Sequence, residues 1–223
     1  MVFTERRQKL VYRILSYILG LLLLAFGVAF SVNSGLGVSP TNSLPYVVSA
    51  VSGIDLGIAV VIVFSVYILI QIILLRKEFK LINLLQLAFS TVFGYFVNFA
   101  RLILGDFALP TYFGQLVMLA VSIVLIALGL VFYLTAELVP MPMEGMSLAI
   151  SKKLPRFQFH QIKICVDSLS VATAAIIALI ATGGITGVRE GTVISALVIG
   201  KVMQIMMKPL KPVIRSVCFD EPV

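Results

Sequence analysis

Charge is scarce in this chain. Only 12% of its 223 residues are Asp, Glu, Lys or Arg while 60% are hydrophobic, and the mean hydropathy is +1.11. A soluble globular domain carries about twice that share of charge, so that class is excluded. Histidine occurs once, as His160 in a basic segment, and no nucleophile and base recur at a spacing that covalent or acid–base catalysis needs, so the chain reads as a non-enzyme. The two cysteines, Cys165 and Cys218, show no metal-ligand spacing. They read as plain thiols on the cytoplasmic side, where a disulfide does not persist. Polar–apolar alternation is missing as well, which excludes the strands of a membrane barrel. Residues 183–192 are rich in glycine but lack the preceding strand and the Lys-Ser/Thr ending of a phosphate-binding loop. They read as an external turn leading to a helix start at Thr192, with Arg189 and Glu190 solvated as the plainer reading and a gate to the outside as the alternative. No cofactor and no metal are implied.

What remains is a succession of long apolar runs: residues 11–33, 56–75, 81–104, 114–136, 162–182 and 192–207. About 20 apolar residues at 1.5 Å each cross about 30 Å of hydrocarbon, so these give six crossings and leave no soluble domain. The first run follows Arg6, Arg7, Lys9 and Arg13, the flank a signal peptide would have, but it exceeds a signal's apolar core and reads as retained. Two shorter segments, 41–52 and 143–154, reach about half way across.

A shift of 102 positions lays Gly27 on Gly129, Phe30 on Phe132, Leu36 on Leu138 and Pro40 on Pro142. Each copy has a long run, a break containing glycine or proline (Gly35, Gly37 and Pro40; Pro140, Pro142 and Gly145), a short segment and two more long runs. At a shift of 106, Gly94 falls on Gly200 and Asn98 on Gln204. The division is a first repeat at 1–105, an external loop at 106–112, a second repeat at 113–210 and a cytoplasmic tail at 211–223. Lys and Arg set the orientation. They cluster at Arg6, Arg7, Lys9 and Arg13, at Arg76, Lys77 and Lys80, at Lys152, Lys153, Arg156 and Lys163, and at Lys208, Lys211 and Arg215; the other side has Arg101 and Arg189. Both termini are therefore placed in the cytoplasm. Three crossings per copy turn the second copy over, so the fold class is an all-α membrane protein. It has six transmembrane helices, two short broken or re-entrant helices and a 3+3 inverted-topology repeat.

Ionisable groups inside the bilayer are costly and mark candidate sites. Asp167 and Lys201 lie at similar depth in the last two helices, and their pairing is the simplest expectation. Lys163, one turn from Asp167, is the other partner open to it, and snorkelling to the interface is the other fate open to Lys201. Glu144 opens the second short helix, and its counterpart in the first repeat is Asn42, beside Thr41. If both short helices point their N-termini inward, these side chains converge on one cavity. A capping role for Glu144 in its helix's first turn is the plainer alternative. The candidate substrate or ion site is thus Thr41, Asn42, Glu144, Asp167 and Lys201.

Gly35-Leu36-Gly37-Val38-Ser39-Pro40, followed by Ser43-Leu44-Pro45-Tyr46-Val47, and the later Gly187-Val188-Arg189-Glu190-Gly191-Thr192 resemble the YitT/YczE-like bacterial integral membrane proteins over essentially the whole chain. The Pro-Trp-Asp of the YczE type is missing, because the chain has no tryptophan. The resemblance implies a permease-type protein of the bacterial cytoplasmic (inner) membrane and carries no substrate. The functional expectation is a secondary transporter or permease for a small molecule. A substrate-binding subunit of an energy-coupled transporter and a non-transporting scaffold or regulator are the alternatives. The expected partners are the lipid bilayer and a small solute. A homo-oligomer is compatible with the sequence, and the net charge of +7 fits anionic lipid rather than nucleic acid.

Overall fold

The computed structural model describes residues 2–54, 56–184 and 187–219. In chain order the helices are α1 (Val2–Asn33), α2 (Pro40–Ser52), α3 (Leu56–Leu75), α4 (Leu85–Leu104), α5 (Tyr112–Thr135), α6 (Pro142–Lys153), α7 (Phe159–Thr182) and α8 (Glu190–Phe219). Short 3₁₀ turns at Arg76–Glu78 and Leu81–Leu84 link α3 to α4. Among the described residues there is no strand, and six helices are long and apolar enough to cross a membrane. The outside of the bundle is apolar: Leu102 and Ile180 are each 81% exposed. In water that surface would drive aggregation; in hydrocarbon it is solvated.

The bundle is built on the seam between α1 and α5. Arg13 donates to the carbonyl of Ala136 and Ser16 to that of Phe132, while Ser122 donates to that of Gly27. As one residue number climbs the other falls, so the two helices run antiparallel. Small residues let the backbones close up, as membrane helices without a hydrophobic drive between them require. A Cβ on Gly129 would lie 2.6 Å from the Gly20 carbonyl oxygen, and one on Gly27 2.6 Å from Ile126 Cγ1. Around this seam α4 packs on α1 and α8 on α5, while the short α2 packs on α7 and α3, and the short α6 on α3 and α7.

Both breaks have the same local cause. After α1 the chain turns through Gly35 at φ +68°, and after α5 through Glu137 at φ +51°. Pro40 and Pro142 then open the short helices, where a missing N–H and a fixed φ cost nothing. The first break is tied to the α7–α8 connection: Val38 N–H donates to Gly187, Gly191 N–H to Leu36, and the Thr192 hydroxyl to Val38. Arg189, which is exposed as expected, also donates to the Gly35 carbonyl at 2.7 Å and pairs with Glu190. The second break is tied elsewhere, to α1: Arg13 donates to the Ala136 and Glu137 carbonyls and the Tyr17 hydroxyl to Val139.

The last helix does not stop near residue 207. It continues through Pro209 and Pro212 to Phe219, so residues 211–219 of the tail are helical. Packing compensates for the backbone bonds that the prolines remove: the Arg13 and Arg215 guanidinium groups stack on the Phe219 ring, and Arg215 pairs with Glu137 at 2.6 Å. Glu137, although exposed, is a partner in this clasp.

Candidate functional site

Three buried charges meet where the two short helices begin. Lys163 belongs to the first turns of α7, which starts with a capping box between Gln158 and Gln161. Its Nζ lies 2.7 Å from Asp167 Oδ1 one turn on, and 3.1 Å from Glu144 Oε1 in the first turn of α6. Glu144, Lys163 and Asp167 are 3%, 2% and 1% exposed. Breaking such a group by removing one member costs about 3–5 kcal/mol, because an uncompensated charge is left behind.

The charges line a cavity of about 30 Å³, room for about two water molecules. Ser39, Pro40, Thr41 and Asn42 enter it from the start of α2, and Met141 and Glu144 from the start of α6. The first turns of both short helices thus reach one space. Apolar walls come from Leu24 and Val28 of α1, Ile126 and Leu130 of α5, Phe93 of α4 and Ile199 of α8. Glu144 Oε2 is buried with no hydrogen-bond partner among the described residues, as is the Tyr133 hydroxyl.

A second buried polar group fixes α6 from behind. Gln71 of α3 and Gln86 of α4 exchange amide hydrogen bonds at 3.0 Å, and Gln71 Nε2 also donates to the Pro142 carbonyl. Gly145 makes this approach feasible, since a Cβ there would stand 2.8 Å from Gln71 Oε1. At the far end of α6, Lys152 and Lys153 pair with Glu78 at 2.6 and 2.7 Å. These exposed pairs contribute little energy.

Thr41, Asn42, Glu144 and Asp167 therefore come together, and Lys201 does not. The expected Lys201–Asp167 pair is corrected: α8 turns Ile199 and Met203 inward, which leaves Lys201 exposed on the other side of the helix. Asp167 takes Lys163 instead. Lys163, counted with the cytoplasmic-side charges although it falls within the run 162–182, is the other partner that its i,i+4 spacing offered to Asp167. Gln71 and Gln86 were visible as amides at the ends of apolar runs. Nothing in the sequence marked Tyr17 or Tyr133 apart from other aromatic residues.

An all-helical bundle with six apolar spans, an apolar exterior and charges held in its centre is a multi-pass membrane protein. The chain belongs to a family of unknown function, DUF6198, which it matches over residues 11–208. It is 30% identical over 148 residues to the uncharacterized membrane protein YczE of Bacillus subtilis (strain 168), covering 66% of this chain and 66% of that one. It is 28% identical over 134 residues to the uncharacterized protein YyaS of the same organism, covering 60% of this chain and 66% of that one. The matched segments span just under two thirds of each relative's length. No solved structure matches.

Proposed function

We propose that this protein is a secondary transporter or permease for a small molecule, built as a 3+3 inverted-topology repeat in the bacterial cytoplasmic membrane with both termini in the cytoplasm. The observation that carries this reading is the pairing of residues around the central cavity. At the shift of 102, Leu24 matches Ile126, Val28 matches Leu130, Ser39 matches Met141 and Asn42 matches Glu144; at 106, Phe93 matches Ile199. All ten line the same space. A cavity whose walls come pairwise from two antiparallel copies sits on a pseudo-twofold axis, and that axis exchanges an outward-facing with an inward-facing arrangement of similar energy. The positive φ shared by Gly35 and Glu137 supports the same equivalence. The basic clusters favour a cytoplasmic location for both termini. The three buried charges break the symmetry and give the site its chemistry; no catalytic step is part of this reading.

The test is metabolite profiling of cells that contain the parent protein, Glu144→Gln, or neither. Redistribution of a defined solute with the parent, lost in the variant at equal membrane abundance, is the expected result. Identical profiles in all three, with the parent inserted in the membrane, contradict it. Co-purification of an ATPase and a coupling membrane protein would instead favour a substrate-binding subunit.

A further inference from the structure

The central site is short of one positive charge. Glu144 and Asp167 bring two carboxylates and Lys163 one ammonium, all at least nine-tenths buried. With all three ionised the group carries a net charge of −1 in a medium that solvates charge poorly. Lys163 is already shared between Asp167 Oδ1 and Glu144 Oε1, and Glu144 Oε2 makes no hydrogen bond of ordinary geometry among the described residues, the neutral Tyr133 hydroxyl being the group closest to serving it. The titratable groups that face Glu144 from the other packed helices are the phenols of Tyr17, Tyr67 and Tyr133, which bring no positive charge. From α2 come only neutral Ser39, Thr41 and Asn42, from α4 Phe93 and Gln86, and from α8 Ile199.

We propose that Glu144 Oε2 is the seat of one exchangeable monovalent cation, a proton or Na⁺. The site then alternates between net charges of −1 and 0. A cavity of about 30 Å³ suits this occupant: it takes a proton, or a small ion with one water, and excludes an organic ammonium of several heavy atoms. Oxygen from Glu144, Thr41, Asn42 and Ser39 is the donor type that hard cations prefer. A divalent ion would overshoot the single missing charge. Casting this cation as a coupling ion rests on the transporter reading above, whereas its binding does not.

The experiment uses the purified full-length protein in detergent and reads thermal unfolding. In one arm NaCl replaces choline chloride at constant ionic strength and about pH 8; in the other the pH falls to about 5 without sodium. A cation that binds only the folded state raises the melting temperature by about 5–10 °C across about a hundredfold excess over its dissociation constant. A sodium response identifies Na⁺, and a rise with falling pH alone identifies the proton. In either case Glu144→Gln, already neutral, loses the response, while Asp106→Asn, an exposed loop substitution, keeps it.

Should Glu144→Gln fail to fold, tyrosine emission of the parent supplies a second reading. The chain has no tryptophan to mask it, and Tyr17 and Tyr133 lie within electrostatic reach of Glu144. A saturable change with the same cation supports the site. A parent that responds to neither cation in either measurement, or a response that survives in Glu144→Gln, overturns the proposal. A cation-responsive protein that moves no solute overturns only the transport reading, and a transporter without the response overturns only this one.

Discussion

Gly27 and Gly129 stand in reciprocal contacts. Gly27 lies against Ser122 and Ile126, Gly129 lies against Gly20 and Leu24, and the first pair of partners is the second advanced by 102 positions. An interface in which residue i meets j while the equivalent of j meets the equivalent of i is what the proposed inverted repeat requires. Gly27→Leu and Gly129→Leu should therefore damage the fold to a similar degree, by about 1–3 kcal/mol or by preventing insertion. Gly94→Leu, with nothing within 4 Å of its Cβ position, should stay within about 0.5 kcal/mol of the parent. Thermal unfolding in detergent ranks the three. A Gly94 variant as damaged as the others contradicts the packing argument.

Lys163→Met should be among the most damaging single substitutions, because it leaves Glu144 and Asp167 buried with no cation between them. The expected loss is about 3–5 kcal/mol, and adding Asp167→Leu should restore part of it. Lys201→Met changes an exposed side chain and should cost about 0.5 kcal/mol or less. Equal losses for Lys201→Met and Lys163→Met would reinstate Lys201 as the partner of Asp167.

Gln71→Leu strands the Gln86 amide and the Pro142 carbonyl together. A loss of about 1–3 kcal/mol follows from leaving buried polar groups unpaired. Replacing Gln71 and Gln86 by leucine together should recover part of this, leaving Pro142 unserved. If the double variant is no better than Gln71→Leu, the amide pair is not the stabilising unit.

The orientation can be read by thiol labelling in a background of Cys165→Ser and Cys218→Ala. Ala108→Cys and Lys153→Cys are at exposed positions. With both termini cytoplasmic, the first should react with an impermeant reagent in intact cells and the second only after permeabilisation. The reverse pattern inverts the orientation.

Helices and breaks were legible because membrane spans and proline at the first helical position are local signals: the four inner runs, Pro40 and Pro142 lie where the sequence puts them, within a few residues, while α1 starts earlier and α8 ends later than their apolar runs. That Asn42 and Glu144 line one cavity was legible from the match at a shift of 102 positions. Lys201 misled because depth along a helix is readable from sequence and azimuth is not, so a residue at the right height was assigned to the wrong side. The run of α8 through Pro209 and Pro212 was hidden for a related reason. Its support comes from Arg13, Glu137 and Phe219, residues brought together only by the fold. The Gln71–Gln86 pair depends likewise on how two helices meet, which composition does not record.

Alternating access requires the central cavity to face both sides of the membrane in turn. Asn42→Cys, in the same cysteine-free background, places a thiol in a half-buried position on the cavity wall. An impermeant thiol reagent is applied to right-side-out cells and to inside-out vesicles. Labelling from each side is the expected result, with Val47→Cys, fully buried in α2, unreactive in both. Reaction from one side only, under every condition of pH and salt, would contradict alternating access.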